Sequence, residues 1–429
     1  MAFLKRLASL IGAAVVAVGA PAWAQIGLIQ TPNLPGLPSG VTDRLPEAGQ
    51  VVRLAGQTLD HALQAPSRLR GLIRRSNGRL EADPQGWPVV SNEIVAIDLS
   101  AQARADALTA GYSVLREERL AALDLTTLVL APPRRMSLAR AVERLRRMDP
   151  EAEIAFNHVH APAGEISGKG GAAAAGPGPR ASGARLGLID TGVEATHPAL
   201  AGSPITQRGF AGPPRMGAHG LAVASLMVGR SGVFAGGDPG AALLVADIYG
   251  GQATGGSSTA LAEALAWMAE QRVAVVNVSL VGPRNALVER AVARARARGM
   301  TVVAAVGNDG PAAPPLFPAA YEGVIGVSAV NGRNQILPEA GRGDQVDFAA
   351  PGADMAAAGQ GGSWTSVRGT SFAAPIVAGL LARDGQGALE RQAMDLGARG
   401  RDPVYGVGLV GAASRVEPRT MGARGRLAR

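Results

Sequence analysis

The 429-residue chain has no cysteine, only two lysines, and few aromatic side chains, 3% of the total. Without cysteine there is no disulfide framework, thiolate zinc site, iron–sulfur cluster or thiol nucleophile. The five histidines form no H-E-x-x-H pair and no acidic calcium loop is present, so metal chemistry has no evident ligand set. Lys169 follows Gly168 without the Ser/Thr or the earlier glycine of a phosphate loop. Gly406 to Gly411 spells G-x-G-x-x-G, but no strand–helix unit follows it and the acidic partner is missing, which excludes a dinucleotide site. Past residue 24 no apolar run is long enough to span a membrane, and no internal repeat is visible.

The net charge of +8 invites a nucleic-acid or membrane-surface reading until it is divided along the chain. Residues 1–24 carry +2, 25–165 balance 16 arginines against 16 acids, 166–414 carry +2, and the last fifteen residues carry +4. Half the excess is thus a short tail. The abundance of Arg, Ala and Gly reads as coding bias rather than selection for phosphate contacts, and no nucleic-acid partner is expected.

What is present is a strongly punctuated chain. Lys5 and Arg6, an apolar run from Leu7 to Gly19, and Ala22-Trp23-Ala24 read as a secretory signal with a cut before Gln25; the alternative is an uncleaved anchor, disfavoured by the Ala-rich run, Pro21 and the lack of a stop-transfer flank. Residues 25–91 begin Pro-rich and include a basic amphipathic stretch, Leu59 to Ile73, with no assigned role. Residues 92–163 run strand, helix, strands, helix, strand, the order of a small α+β ferredoxin-like domain. Within it Ser137 is the expected N-cap of a helix ending at Met148, and Ala152 to His160 is the last strand. From 164 to 183, fourteen of twenty residues are Gly, Ala or Pro, a linker composition. Between 184 and 414 near-continuous apolar runs (186–189, 241–248, 273–280, 300–306) alternate with helical patterns, which predicts an α/β domain: a parallel sheet with helices on both faces. Residues 415–429 are a basic tail.

In such sheets chemistry sits beyond the carboxyl ends of the strands. Four segments end there in polar groups: Leu186-Gly-Leu-Ile-Asp190-Thr-Gly-Val193, Ala218-His219-Gly220, Val302 to Asn308-Asp-Gly310, and Arg368-Gly-Thr-Ser371-Phe-Ala-Ala-Pro375. Taken singly they have ordinary readings: a capped turn, a satisfied histidine, an Asn turn and a helix N-cap. Together they supply a hydroxyl nucleophile, an imidazole to accept its proton, a carboxylate to orient the imidazole, and an amide to stabilise an oxyanion.

These motifs resemble the subtilases, the subtilisin-like serine proteases. Asp190 to Leu200, with its trailing His197-Pro198, is similar to the family's aspartate motif, Gly369 to Pro375 to its serine motif, and Ala304 to Asn308 to its oxyanion segment. The resemblance covers roughly residues 184–414. It implies Asp190, His219 and Ser371 as a catalytic triad, Asn308 as oxyanion donor and His197 as a structural residue. It also implies Ser279 and Leu280, and more weakly Gly255, as strand partners of a bound peptide. Leu221, Ser225 and Val281 depart from the family pattern without removing a catalytic group.

The upstream domain resembles a subtilase pro-domain, which implies a zymogen inhibited by its own N-terminal domain and cut between His160 and Gly183. The resulting expectation is a secreted or periplasmic serine endopeptidase acting on proteins or peptides, with no catalytic cofactor and no membrane attachment once the signal is removed. Structural calcium is left open by the resemblance. An α/β-hydrolase esterase is excluded by the order Asp, His, Ser and by Ala373 in the last place of G-x-S-x-G. The alternative is a catalytically silent exported binding or inhibitory protein that keeps the fold.

Overall fold

A computed structural model describes residues 68–167 and 181–423; the expected signal and most of the Pro-rich lead-in lie outside these residues. Residues 68–75 are helical, so only the end of the expected amphipathic helix falls within them.

The first sheet is antiparallel. It comprises β1 (Leu80–Ala82), β2 (Pro88–Ile97), β3 (Ser113–Leu120), β4 (Leu125–Ala131) and β5 (Glu153–His158), with α1 (Ala101–Thr109) and α2 (Leu138–Met148) in the two crossovers. Its order is β5-β2-β4-β3, with β1 on the first part of β2. This is the split βαβ arrangement. The sheet begins at Leu80, earlier than the composition implied. Ser137 does stand at the N-cap of α2, but its side chain makes no capping hydrogen bond.

Alternation along β2 gives the sheet two buried faces. Ile94 and Ala96 pack beneath the two helices, while Val95 and Ile97 point the other way, into the core of the second domain.

Two short strands follow, β6 (Ala161–Pro162) and β7 (Glu165–Ser167). The second lies inside the segment whose composition read as pure linker. A Gly/Ala/Pro average hides three residues, Glu-Ile-Ser, that find a sheet edge to pair with.

The larger domain is built on seven strands: β8 (Arg185–Asp190), β9 (Ile205–Gly209), β12 (Ala242–Asp247), β13 (Val275–Val278), β15 (Thr301–Ala305), β16 (Ile325–Val330) and β17 (Phe348–Pro351). A two-residue hairpin pair, β10 (Arg230–Ser231) and β11 (Phe234–Ala235), and the short β14 (Leu280–Val281) stand apart from it. The order is β17-β16-β15-β13-β8-β12-β9, every neighbour parallel. Helices α3 (Ala218–Val228) and α6 (Thr370–Asp384) share one core, and α4 (Ser258–Glu270) and α5 (Ala286–Ala297) the other. The apolar runs are therefore continuous because both faces of each strand are covered. In β8, Leu186 and Leu188 face α3 while Ile189 faces the opposite core. The same alternation turns Asp190 toward α3.

An antiparallel ribbon, β18 (Met355–Gly359) and β19 (Ser363–Arg368), completes the domain and carries β7 on its edge. The first part of the expected basic tail packs against it: Ala356 N–H donates to Val416 O at 2.8 Å.

Candidate active site

Asp190 closes β8 and His219 opens α3, and the turn between strand and helix holds them in register. The N-cap of α3 is Gly217, which offers no side chain, so Thr191 Oγ1 caps the helix by accepting from Gly220 N–H at 3.0 Å. His219 Nδ1 lies 2.8 and 3.0 Å from the two Asp190 oxygens, and Thr191 N–H donates to Oδ1 at 2.7 Å. Asp190 is fully buried. An imidazole that donates from Nδ1 to a carboxylate keeps a lone pair on Nε2, the atom that can accept a proton. That Nε2 is buried and has no hydrogen-bond partner among the described residues.

Ser371 is the second residue of α6, fully buried, after a glycine N-cap at Gly369. Its Oγ does not point at His219. It donates to Ser279 O at 2.9 Å, while Ser279 Oγ donates to Ser371 O at 2.8 Å and accepts from Asn277 Nδ2 at 2.8 Å. The structure thus brings Asp190 and His219 into contact and sets Ser371 at a neighbouring helix start, with its hydroxyl bonded to Ser279 and not to His219.

Asn308 follows β15. Its Oδ1 accepts from Thr370 N–H at 3.1 Å, which turns its Nδ2 toward the same helix start. Both Nδ2 and the Ser371 N–H donate to one oxygen, the carbonyl of Ala163, at 2.6 and 3.0 Å. Gly369 has φ +132, and a Cβ there would sit 2.8 Å from this oxygen and from Asn308 Nδ2. Only glycine leaves the hole open.

The residues around Ala163 run through the cleft as an extended strand. On one side Ala163 N–H donates to Ser279 O at 3.3 Å, and Pro162 and Ala161 stand opposite Leu280 and Val281 in β14. On the other, His160 N–H donates to Gly256 O at 2.8 Å and Val159 bridges Ser257. Of the three residues expected to pair with a peptide, Ser279 and Leu280 lie along residues 162–163 of this chain, while His160 meets Gly256, next to Gly255, whose own close neighbour is the Tyr249 backbone. Beyond Ala163, β7 pairs with β19, placing Glu165, Ile166 and Ser167 opposite Arg368, Val367 and Ser366. A Cβ on Gly164 would collide with the Phe372 ring.

Two histidines carried into this region have structural partners. His158 Nε2 lies 3.0 Å from Asp83 Oδ2, and His158 Nδ1 lies 3.0 Å from Asn285 Nδ2. His160 is fully buried beside Gly256 and Gly282. Burial, and then the nearby His158, lowers its pKa to about 4, so it is neutral in place. His197 caps a short turn and bonds to Ser363 O, a structural part as its motif implied.

The small sheet docks on the N-termini of α4 and α5. Glu93 pairs twice with Arg116 and accepts from Asn157, whose Oδ1 in turn accepts from Thr259 N–H. Asn285 Nδ2 donates to Phe156 O. Glu263, facing this interface from α4, has its pKa raised to about 7 by burial, then by Glu118. The sequence offered no sign of the Asn157–Thr259 and Asn285–Phe156 contacts, because they join residues more than a hundred positions apart. Among the described residues there is no helix long and apolar enough to cross a membrane and no cluster of three or more His, Asp or Glu suited to a metal.

Residues 181–390 match the peptidase S8 subtilase family. Thermitase of Thermoactinomyces vulgaris is 33% identical over 247 residues, 55% of this chain and 87% of that protein. The thermophilic serine proteinase of Bacillus sp. (strain AK1) is 34% identical over 239 residues, 53% of this chain and 58% of that one. In structure the chain resembles fervidolysin of Fervidobacterium pennivorans, a keratinolytic enzyme related to subtilisin, with a TM-score of 0.63 at 20% identity, over 76% of this chain and 61% of that one. The parallel sheet, the motifs and the extent of the thermitase match lead to one assignment: the chain belongs to the subtilase family of serine endopeptidases.

Proposed function

We propose that the protein is made as an exported zymogen that cuts itself between Ala163 and Gly164 and then acts as a serine endopeptidase. One observation carries this reading: the Ala163 carbonyl lies between the Ser371 N–H and the Asn308 amide, in an unbroken strand paired on both sides of that bond. A carbonyl so placed is polarised for attack, and the strand pairing holds the reacting atoms without demanding particular side chains.

In the proposed reaction Ser371 Oγ turns from Ser279 toward His219 and passes its proton to Nε2 as it attacks the Ala163 carbonyl carbon. The charge that develops on the carbonyl oxygen is held by the Ser371 N–H and by Asn308. Asp190 remains ionised and stabilises the imidazolium. His219 then gives the proton to the Gly164 nitrogen, the Ala163–Gly164 bond breaks, and water activated by His219 releases the acyl group from Ser371. The same steps serve any peptide that replaces residues 159–167 in the cleft. No cofactor enters them. Residues up to Ala163 would remain docked as an inhibitor, since their contacts with α4, α5 and β14 survive the cut. Export rests on the signal pattern of residues 1–24, with removal after Ala24.

The test is to express the full chain with and without Ser371→Ala, sequence the N-termini over time, and add a fluorophosphonate probe. The wild type should yield a fragment beginning at Gly164 and a labelled Ser371, while the variant should stay uncut and unlabelled. An uncut, unlabelled wild type would instead support a silent binding protein.

A further inference from the structure

Beside the part of the cleft that follows the cut bond lies a cavity of about 640 Å³ whose lining includes Arg333, Arg368, Arg415, Arg419, Asp354 and Ser366. Two of its arginines have carboxylate partners. Arg368 grips Glu339 with Nε at 2.7 Å and Nη2 at 2.9 Å, and Arg419 lies 3.5 Å from Glu417. Arg415 differs. Its Nη1 donates to Asn334 Oδ1 at 3.3 Å, but Nε and Nη2 are buried with no acceptor among the described residues.

Those two atoms form one edge of the guanidinium, the edge that receives a carboxylate bidentately. This chain uses the same edge three times elsewhere, in Arg368–Glu339, Arg284–Glu289 and Arg383–Asp384. A buried donor pair left without an acceptor is costly, and more so on a cation. Burial indeed pulls the Arg415 pKa below its ordinary value, opposed by Asp354.

The strand register says which part of a substrate reaches this cavity. Ser366 and Arg368 line it, while Val367 between them is fully buried in the core. Residues directly opposite in an antiparallel pair project to the same face. Glu165 and Ser167, opposite Arg368 and Ser366, therefore project to the cavity side. These are the second and fourth residues after the Ala163–Gly164 bond. Arg368 is already engaged by Glu339, and Glu165 is solvent-exposed. The fourth position holds Ser167, whose hydroxyl is buried and has no hydrogen-bond partner among the described residues.

We infer that this cavity is a substrate subsite for a carboxylate: an acidic side chain at the fourth residue after the cut bond, received by the Nε–Nη2 edge of Arg415. The inference rests on the protease reading above. The self-cut segment carries Ser there, so it leaves the cleft without that anchor, whereas a Glu-bearing substrate gains it.

The test uses the self-processed wild type and internally quenched peptides that share His-Ala-Pro-Ala before the cut. After it they read Gly-Gln-Ile-Glu, Gly-Gln-Ile-Gln or Gly-Glu-Ile-Gln. Glu at the fourth place should raise kcat/KM over Gln by about tenfold at low salt, and added salt should shrink the ratio. Arg415→Gln should bring the ratio near one by lowering kcat/KM for the Glu peptide. Arg333→Gln, on the exposed rim, should reduce the ratio partly and gives a reading if the Arg415 variant does not fold. Equal cleavage of the Glu and Gln peptides by wild type, an equal gain from Glu at the second place, or an unaltered ratio in Arg415→Gln would overturn the subsite and leave the protease standing. Cleavage of none of the peptides would overturn the protease reading and the subsite with it.

Discussion

Asn308 spends its carbonyl on Thr370 N–H so that its amide faces the cleft, and Gly369 keeps the space between them clear. Replacing Asn308 by Ala removes one of the two donors proposed to hold the oxyanion while leaving the proposed nucleophile and base in place. In subtilisin the loss of the corresponding donor costs about 10²–10³ in turnover, and a fall of that order in kcat with little change in KM is expected here. Gly164 is a tighter constraint, since any Cβ there meets the Phe372 ring. Gly164→Val should therefore expel the strand from its cutting position and leave the chain uncut at Ala163, as N-terminal sequencing would register. Normal processing at that bond in the valine variant would refute the assigned cut site.

At the scale of elements, the small sheet sits on α4 with Glu118 and Glu263 close enough to couple. The sign of the pH effect follows from the raised pKa. Docked Glu263 holds its proton to about pH 7, whereas a freely solvated carboxyl loses it near 4.5. Docking therefore gains from this group fully below 4.5 and loses that gain as pH rises through 7. Neutral His160 imposes the opposite trend, but mainly below 6.5, where the released imidazole would charge. Between pH 6.5 and 8 the Glu263 effect is about fourfold and His160 offsets about half of it, so the affinity of the cut N-terminal fragment should weaken by about twofold. Size-exclusion of the processed wild type across that range measures it. Glu263→Gln, which mimics the protonated carboxyl, should abolish the weakening and leave only the opposite His160 trend, and an unchanged slope would assign it to another group.

For the whole molecule, the proposed maturation makes covalent cleavage and release separate events. The N-terminal sheet would keep its Arg116–Thr259, Asn157–Thr259 and Asn285–Phe156 contacts after a cut at Ala163–Gly164, and β6 would still lie on β14. Peptidase activity should thus lag behind the appearance of the Gly164 terminus and follow the disappearance of the upstream fragment. Activity that rises in step with cleavage would mean the fragment does not inhibit.

The local pattern of the chain determined a good deal of this. Apolar runs at 186–189 and 300–306 are strands because both their faces are covered, and Gly, Thr and Ser at 369–371 mark a helix start with a hydroxyl on it. Those relations span a few residues, so hydrophobic period and turn chemistry express them directly. Asp190, His219, Asn308 and Ser371 could be named because each sits at the end of such an element.

Tertiary structure decided what depends on pairing across long separations. A run of glycine and alanine concealed β7, since a three-residue strand exists only where β19 offers its edge. Ala163 became the candidate scissile residue because two donors, 145 and 208 positions away in sequence, converge on its carbonyl. The register of β7 on β19, not any motif, brings the basic cavity within reach of a substrate. Hydrogen-bond partners of that kind are fixed by the packing of whole domains, and no local segment of the sequence encodes them.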